Sequence, residues 1–212
     1  MDTPELITID AFLRHWAADR PQRMAMVGER RMDFATLDSA TRRVATALQA
    51  AGLQRGDRIA WLGKNAVLYF TLLFGAARIG VVMAPVGWRL AAPERRYIVD
   101  DTASKLLFAG AGFADDARAL AAGLPGVQRV FSDDEAWAWI DGTVPAAFTP
   151  SGPEDAILQL YTSGTTGNPK GVELCNRNLF GLRRAGIDAG LPWAARSAPT
   201  RWWSRNCRCN GL

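Results

Sequence analysis

The chain has 212 residues, 49% of them hydrophobic and 22% charged, which excludes a disordered polypeptide and allows a sizeable core in one large domain or two small ones. Its net charge of +4 is carried by Arg196, Arg201, Arg205 and Arg208, in a segment without acids. The remainder is neutral, so the basic stripe of a nucleic-acid-binding face is absent.

In chain order, Leu6, Ile9, Phe12, Leu13 and Trp16 recur at helical spacing and predict a helix over Glu5 to Ala18. Two short apolar runs around Gly28-Glu29 predict a hairpin from Met24 to Phe34. A helix opening near Thr36 follows, with Leu37, Val44, Ala47, Leu48 and Ala51 on its apolar face and Gly52 ending it. From there the pattern alternates. Asp57 to Gly63 reads as a strand, and Asn65 is placed to cap an apolar helix running to Ile79. Val81 to Val86 is the next strand, and Pro93 suits the start of the helix after it. Ser104 to Ala109 and Gly126 to Ser132 are further strands around a helix from Ala114 to Ala122. Asp133 to Glu154 is acidic and rich in Pro and Gly, a connecting loop with room for one short helix. Ala156 to Ser163 and Lys170 to Leu174 read as strands, and Asn176 to Gly190 as a helix. Buried strands alternating with helices give the fold class: α/β, a mostly parallel sheet with helices on both faces. Such sheets place ligands at the carboxyl ends of their strands.

Other classes are disfavoured. Cys175, Cys207 and Cys209, with His15 as the single histidine, provide neither a disulfide framework nor the ligand set of structural zinc. MDTPELITID lacks the apolar run of a signal peptide. The most apolar stretch, Ala66 to Ala77, stops at Arg78, too short for a transmembrane segment. A cytoplasmic location is the expectation.

One stretch carries chemistry: TSGTTGNPKG, Thr162 to Gly171. Thr162, Ser163, Thr165 and Thr166 offer hydroxyl donors, Gly164 and Gly167 allow close backbone approach to a ligand, and Lys170 adds a compact positive charge. The segment directly follows an apolar strand. Composition alone leaves a flexible linker open as the alternative. A Walker A loop requires Gly at 169 and Ser or Thr at 171, where this chain has Pro169 and Gly171, so ordinary P-loop NTPases are disfavoured.

YTSGTTGNPKGVELCNRNL resembles the phosphate-loop signature of the adenylate-forming superfamily, the AMP-dependent synthetases and ligases, and most resembles a bacterial fatty-acid–CoA ligase. The upstream stretches RRMDFATLDSATRRVATALQAAGLQRGDRIAWLGKN and ARIGVVMAPVGWRL resemble the same family, so the likeness covers roughly Glu5 to Leu191. It implies ATP, Mg²⁺ and coenzyme A as cofactors and a small-molecule carboxylic acid as substrate. The acid would become an acyl-adenylate with release of pyrophosphate, and a thiol would then take the acyl group. It also implies that Thr162, Ser163, Gly164, Thr165, Thr166, Gly167, Lys170 and Gly171 bind the ATP phosphates, with Lys170 stabilising their charge and the glycines supplying flexibility. The family often has Ser-His where this chain has Cys175 and Asn176. The downstream motifs the resemblance implies, for adenine, metal, ribose and a mobile C-terminal lysine, have no identifiable counterpart. Residues 1–195 are therefore expected to be the N-terminal part of an adenylation domain without full activity. Residues 196–212 have no helical or strand period. Where the Ser204 codon begins with T, reading Trp202-Trp203-Ser204 two nucleotides on gives Val-Val, so a frameshift near residues 194–200 is expected. Two alternatives stay open: a non-catalytic truncated product or interaction module, and a phosphotransferase with a variant loop.

Overall fold

A computed structural model describes residues 6–162 and 169–190. Helix α1 (Ile9–Asp19) starts later than the apolar spacing suggests, because the Thr8 hydroxyl accepts the Ala11 N–H at 3.1 Å and fixes the first turn there. Strands β1 (Met24–Val27) and β2 (Arg31–Asp33) form the expected antiparallel hairpin. Helix α2 (Phe34–Ala50) is capped by Asp33, whose carboxylate accepts the Thr36 N–H at 2.8 Å. Gly52, just past its end, takes a φ of 81°, a conformation that disfavours any side chain.

The alternating part then runs β3 (Arg58–Leu62), α3 (Val67–Ile79), β4 (Val82–Val86), α4 (Ala92–Asp101), β5 (Leu106–Ala109), α5 (Ala114–Ala121), β6 (Arg129–Phe131), α6 (Asp133–Asp141), β7 (Ala156–Thr162), β8 (Lys170–Cys175) and α7 (Asn176–Asp188). The strands form one sheet in the order β6-β5-β3-β4-β7-β8. Every neighbouring pair is parallel except β7 and β8, which are antiparallel. The expected α/β architecture is therefore present.

Alternation along the strands sorts the core into two layers. Ile59, Trp61, Met83, Phe108, Phe131 and Leu158 point to the side covered by α1, α2, α3 and α6. Ala60, Leu62, Val86, Leu107 and Ala109 point to the opposite side, against Ile98 and Val99 of α4 and Ala117 and Leu120 of α5. This period of two is what a strand imposes on its side chains. The coverage thins at the β8 edge. Leu160 and Val172, cross-strand partners, are 39% and 47% exposed, and β8 ends the sheet among the described residues.

Two local expectations change. Asn65 is not the cap of α3. Ala66 holds that position without a side-chain bond, and the Glu29 carboxylate, in the turn between β1 and β2, accepts the Leu68 N–H at 3.0 Å. Asp133 to Glu154 is only partly a loop. Ser132 and Glu135 close a reciprocal capping box that starts α6. That helix buries Trp137 and packs Trp139 against Phe131, with ring centroids 4.9 Å apart. The chain then straps back across α2 and α3, with the Ala146 N–H on Thr46 Oγ1 at 2.9 Å and the Ser151 N–H on the Arg78 carbonyl at 2.8 Å.

Arg78, at the end of the apolar helix α3, is fully buried. Its guanidinium donates to Asp10 at 2.9 Å and to Asp38, so one cation joins α1, α2 and α3. Burial lowers its pKa and the two carboxylates act against that shift. A charge taken from water is tolerated only with such partners.

Candidate functional site

The strand before the candidate loop and the strand after it form the stem of the site. Thr162 pairs with Lys170 and Tyr161 with Gly171. Thr162 and Lys170 are both exposed, so a hydroxyl and an ammonium stand side by side at the carboxyl end of the parallel strands. Ser163, Gly164, Thr165, Thr166 and Gly167 lie outside the described residues, as do residues 196–212.

Gly171 takes its place in β8 for a reason that spacing does not show. A Cβ there would stand 2.5 Å from Gln159 Nε2 and 3.1 Å from Tyr161 Cζ. Side chains of β7 occupy the space beside Gly171, so a side chain there would require the Gln159 amide and the Tyr161 ring to shift. The Tyr161 hydroxyl donates to Asp101, at the last turn of α4. Burial, and then the bond to Asp101 and its charge, raise the Tyr161 pKa, so the phenol stays protonated.

The sheet topology places a switch point beside this stem. After β3 the chain turns into α3 on one face, and after β4 into α4 on the other, which makes the carboxyl ends of β3 and β4 a topological switch point. Pro85 limits the neighbouring ladder. The ladder between β4 and β7 is confined to Met83 and Leu158, and Pro85, two residues on, has no N–H to extend it. Counting on from that pair sets Gly87 level with Thr162. At the switch point Trp88 is flanked by two cations: Lys64 Nζ lies 5.3 Å from its ring and the Arg89 guanidinium 4.2 Å. Sequence spacing did not single out these three residues. The available signal was a glycine followed by Lys64 after one strand and a glycine followed by Trp88-Arg89 after the next, which acquires meaning only when the two strands are neighbours.

Cys175 and Asn176 have a packing role. The Cys175 N–H donates to Asn178 Oδ1 at 2.8 Å, in the first turn of α7. Asn176 is fully buried, accepts the Ile9 N–H at 3.0 Å, and donates to Ser151 Oγ and the Gly152 carbonyl, each at 3.0 Å. It ties the start of α7 to α1 and to the strap. Among the described residues there is no cluster of three or more His, Cys, Asp or Glu able to hold a metal. No described helix is long and apolar enough to cross a membrane.

Comparison with known proteins agrees with this geometry. The family model described as AMP-binding enzyme matches residues 13–199. A fatty acid–[acyl-carrier-protein] ligase, ScoC from Streptomyces coeruleorubidus, is 38% identical over 193 residues, 90% of this chain and 37% of ScoC. A long-chain-fatty-acid–CoA ligase, FadD13 from Mycobacterium tuberculosis, is 38% identical over 146 residues, 67% of this chain and 29% of FadD13. Among solved structures, the N-terminal domain of FACL13 from Mycobacterium tuberculosis superposes with a TM-score of 0.72 at 35% identity, covering 80% of this chain and 44% of that one. A putative long-chain-fatty-acid CoA ligase from Rhodopseudomonas palustris gives 0.77 at 26% identity, covering 86% and 48%. The chain spans about a third of the length of the curated relatives it matches. With the parallel sheet, the stem at its carboxyl end and a family match over most of its length, the chain belongs to the AMP-binding enzymes, the adenylate-forming superfamily, and is most similar to its acyl-CoA synthetase branch.

Proposed function

We propose that this chain carries the ATP-phosphate-binding segment of a carboxylic acid–thiol ligase. The observation that carries the reading is the exposed Thr162–Lys170 pair at the carboxyl end of a parallel sheet, in a chain of this family. Lys170 supplies charge, while Thr162, with Ser163, Thr165 and Thr166, supplies hydroxyl donors to the phosphate oxygens. Gly164 and Gly167 let backbone N–H groups approach, and Gly171 admits the Tyr161 ring behind the stem. Lys64 and Arg89 at the neighbouring switch point add positive potential for an anionic ligand. Mg²⁺ would arrive with the phosphates, which supply much of its coordination.

In the reaction this segment serves, a carboxylate oxygen attacks the α-phosphorus of ATP. A bond from the acyl oxygen to phosphorus forms, the α–β phosphoanhydride breaks, and pyrophosphate leaves with the electron pair. A thiol sulfur then attacks the acyl carbon and AMP departs. The relatives named for acyl-carrier-protein and CoA ligation indicate a thiol at the end of a pantetheine arm, coenzyme A or a carrier protein, as the acceptor class, and fatty acids as the first acids to test. The contribution of Lys170 is to stabilise negative charge that grows on the leaving pyrophosphate.

The test is titration of the purified chain with MgATP and with pyrophosphate. Lys170→Ala should weaken both by at least about tenfold, the scale of one charge-assisted phosphate contact. Unchanged binding in Lys170→Ala removes the assigned role.

A further inference from the structure

Tyr161 and Thr162 are consecutive on β7, so their side chains leave opposite faces of the sheet. Thr162 and its partner Lys170 share one face. Tyr161 lies on the other, half-buried against the layer formed with α4 and α5. There its hydroxyl sits in a chain of polar contacts linking four elements. It donates to Asp101 Oδ2 and receives the Gln159 Nε2 hydrogen at 3.0 Å. Tyr97, one turn back on α4, points its hydroxyl at Asp101 Oδ1 at 3.4 Å. Gln159 Oε1 accepts from Arg58 Nε of β3 at 3.5 Å, and Arg58 also pairs with Glu173 of β8 at 2.6 Å. Both strands of the stem are thus tied by side chains to elements beyond their own ladder, β7 to α4 and β8 to β3.

These ties matter because β8 is the last strand of the sheet among the described residues. Its one described ladder runs to β7, so the side chains that reach β8 help to set its position. The Tyr161 ring stands close against the point that a Cβ of Gly171 would take, with Cζ at 3.1 Å and Oη at 3.2 Å from it. Where the ring stands therefore limits where Gly171 stands, and Lys170 is the next residue. The ring is pinned at its far end by Asp101.

We propose that the Tyr161–Asp101 hydrogen bond positions the Thr162–Lys170 pair, making Tyr161 and Asp101 positioning residues for anion binding at this end of the sheet. This rests on the phosphate-binding reading of Lys170. It adds that the binding geometry is set from the opposite face of the sheet, through Gly171, by a contact with the end of α4. The phenol is held protonated by its burial and by the carboxylate beside it, so the tie operates across the neutral and mildly alkaline range.

The experiment uses the full chain with four single variants, Tyr161→Phe, Asp101→Ala, Asp101→Asn and Lys170→Ala, and the Tyr161→Phe/Asp101→Ala double variant. Two quantities are read: the MgATP dissociation constant, and site-resolved amide exchange at Lys170 and Gly171 without ligand. Tyr161→Phe keeps the ring over Gly171 and removes only the hydroxyl. It and Asp101→Ala should each weaken MgATP about tenfold and speed exchange at Lys170 and Gly171 by a similar factor, the scale of one hydrogen bond to a charged group. Asp101→Asn, whose amide oxygen still accepts from the phenol, should restore most of the affinity. The double variant should bind no more weakly than either single, because both remove the same bond. A merely structural contact would move the unfolding midpoint but not this pattern. If Tyr161→Phe and Asp101→Ala leave both readouts unchanged while Lys170→Ala abolishes binding, the positioning role is overturned and the phosphate site stands. If Lys170→Ala binds MgATP like the parent chain, the phosphate reading fails and takes the positioning role with it.

Discussion

Replacing Gly75 with alanine sets two effects of opposite sign against each other. At an exposed helix position the change would stabilise by about 1 kcal/mol, because glycine is the poorer helix former. Gly75 lies inside α3 where that helix crosses α2. A Cβ there would fall 2.4 Å from Val44 Cβ, 2.5 Å from Val44 Cγ1 and 2.9 Å from the Thr41 carbonyl oxygen. Val44 is completely buried, and two of the three obstacles, its Cβ and a backbone oxygen, cannot turn aside. Relief requires α2 and α3 to separate, in a region where Leu48, Leu68 and Leu72 are also fully buried. Overpacking of this kind costs about 1–3 kcal/mol, and a helix shift over several buried neighbours belongs at the upper end. Against the propensity gain, the net expectation is a loss of about 1–2 kcal/mol. Denaturant unfolding monitored by circular dichroism reads this as a lower midpoint at constant slope. Moving the glycine across the interface, in Gly75→Ala/Val44→Gly, removes the obstructing side chain, so the double variant should be more stable than the sum of the two single losses. A neutral or stabilised Gly75→Ala would refute the close helix contact.

Two further outcomes follow from named contacts. Arg78→Ala leaves the buried Asp10 without its main partner and should cost about 3–5 kcal/mol in the same unfolding assay, the range for breaking a buried pair, whereas a loss below about 1 kcal/mol would count against the network. Asp33 tests the pH dependence. Hydrogen bonds from the Thr36 side chain and backbone hold its carboxyl below the ordinary carboxylate value. A depressed folded-state pKa contributes stability above the unfolded-state value of about 4 and loses it as pH falls through the folded value. Asp33→Ala should therefore be less stable than the parent at pH 7, with the gap narrowing on acidification below about pH 4. A gap independent of pH would refute the link to the Asp33 charge.

The order of elements was legible because each rests on a local period. The apolar face of α2 and the apolar runs of β3, β4 and β5 are short-range patterns, and the structure places elements at all of them. Helix starts were less legible. The carboxylate that accepts a first-turn N–H of α3 comes from Glu29, in the earlier hairpin, and a residue's immediate neighbours cannot reveal a partner so distant in the chain. The candidate loop was recognised from composition and order, and its stem residues Thr162 and Lys170 proved to be cross-strand partners. The polar chain behind them was not foreseeable. Asp101 and Tyr161 meet only because β7 lies beside β4, whose following helix α4 ends at Asp101.

By itself, the sequence determined an α/β alternation, a segment rich in glycine and hydroxyls after an apolar strand, and the family to which the chain belongs. Tertiary structure decided the strand order β6-β5-β3-β4-β7-β8, and with it which strand ends are neighbours. It also decided that Arg78 is the charge at the centre of three helices rather than the polar end of one, and that the Tyr161 ring and the Gln159 amide stand beside Gly171. The division has one physical cause. Periodicity fixes which face of an element is apolar, but says nothing about which distant element will cover that face. Buried charges, close glycine contacts and shared hydrogen bonds exist only once that choice has been made.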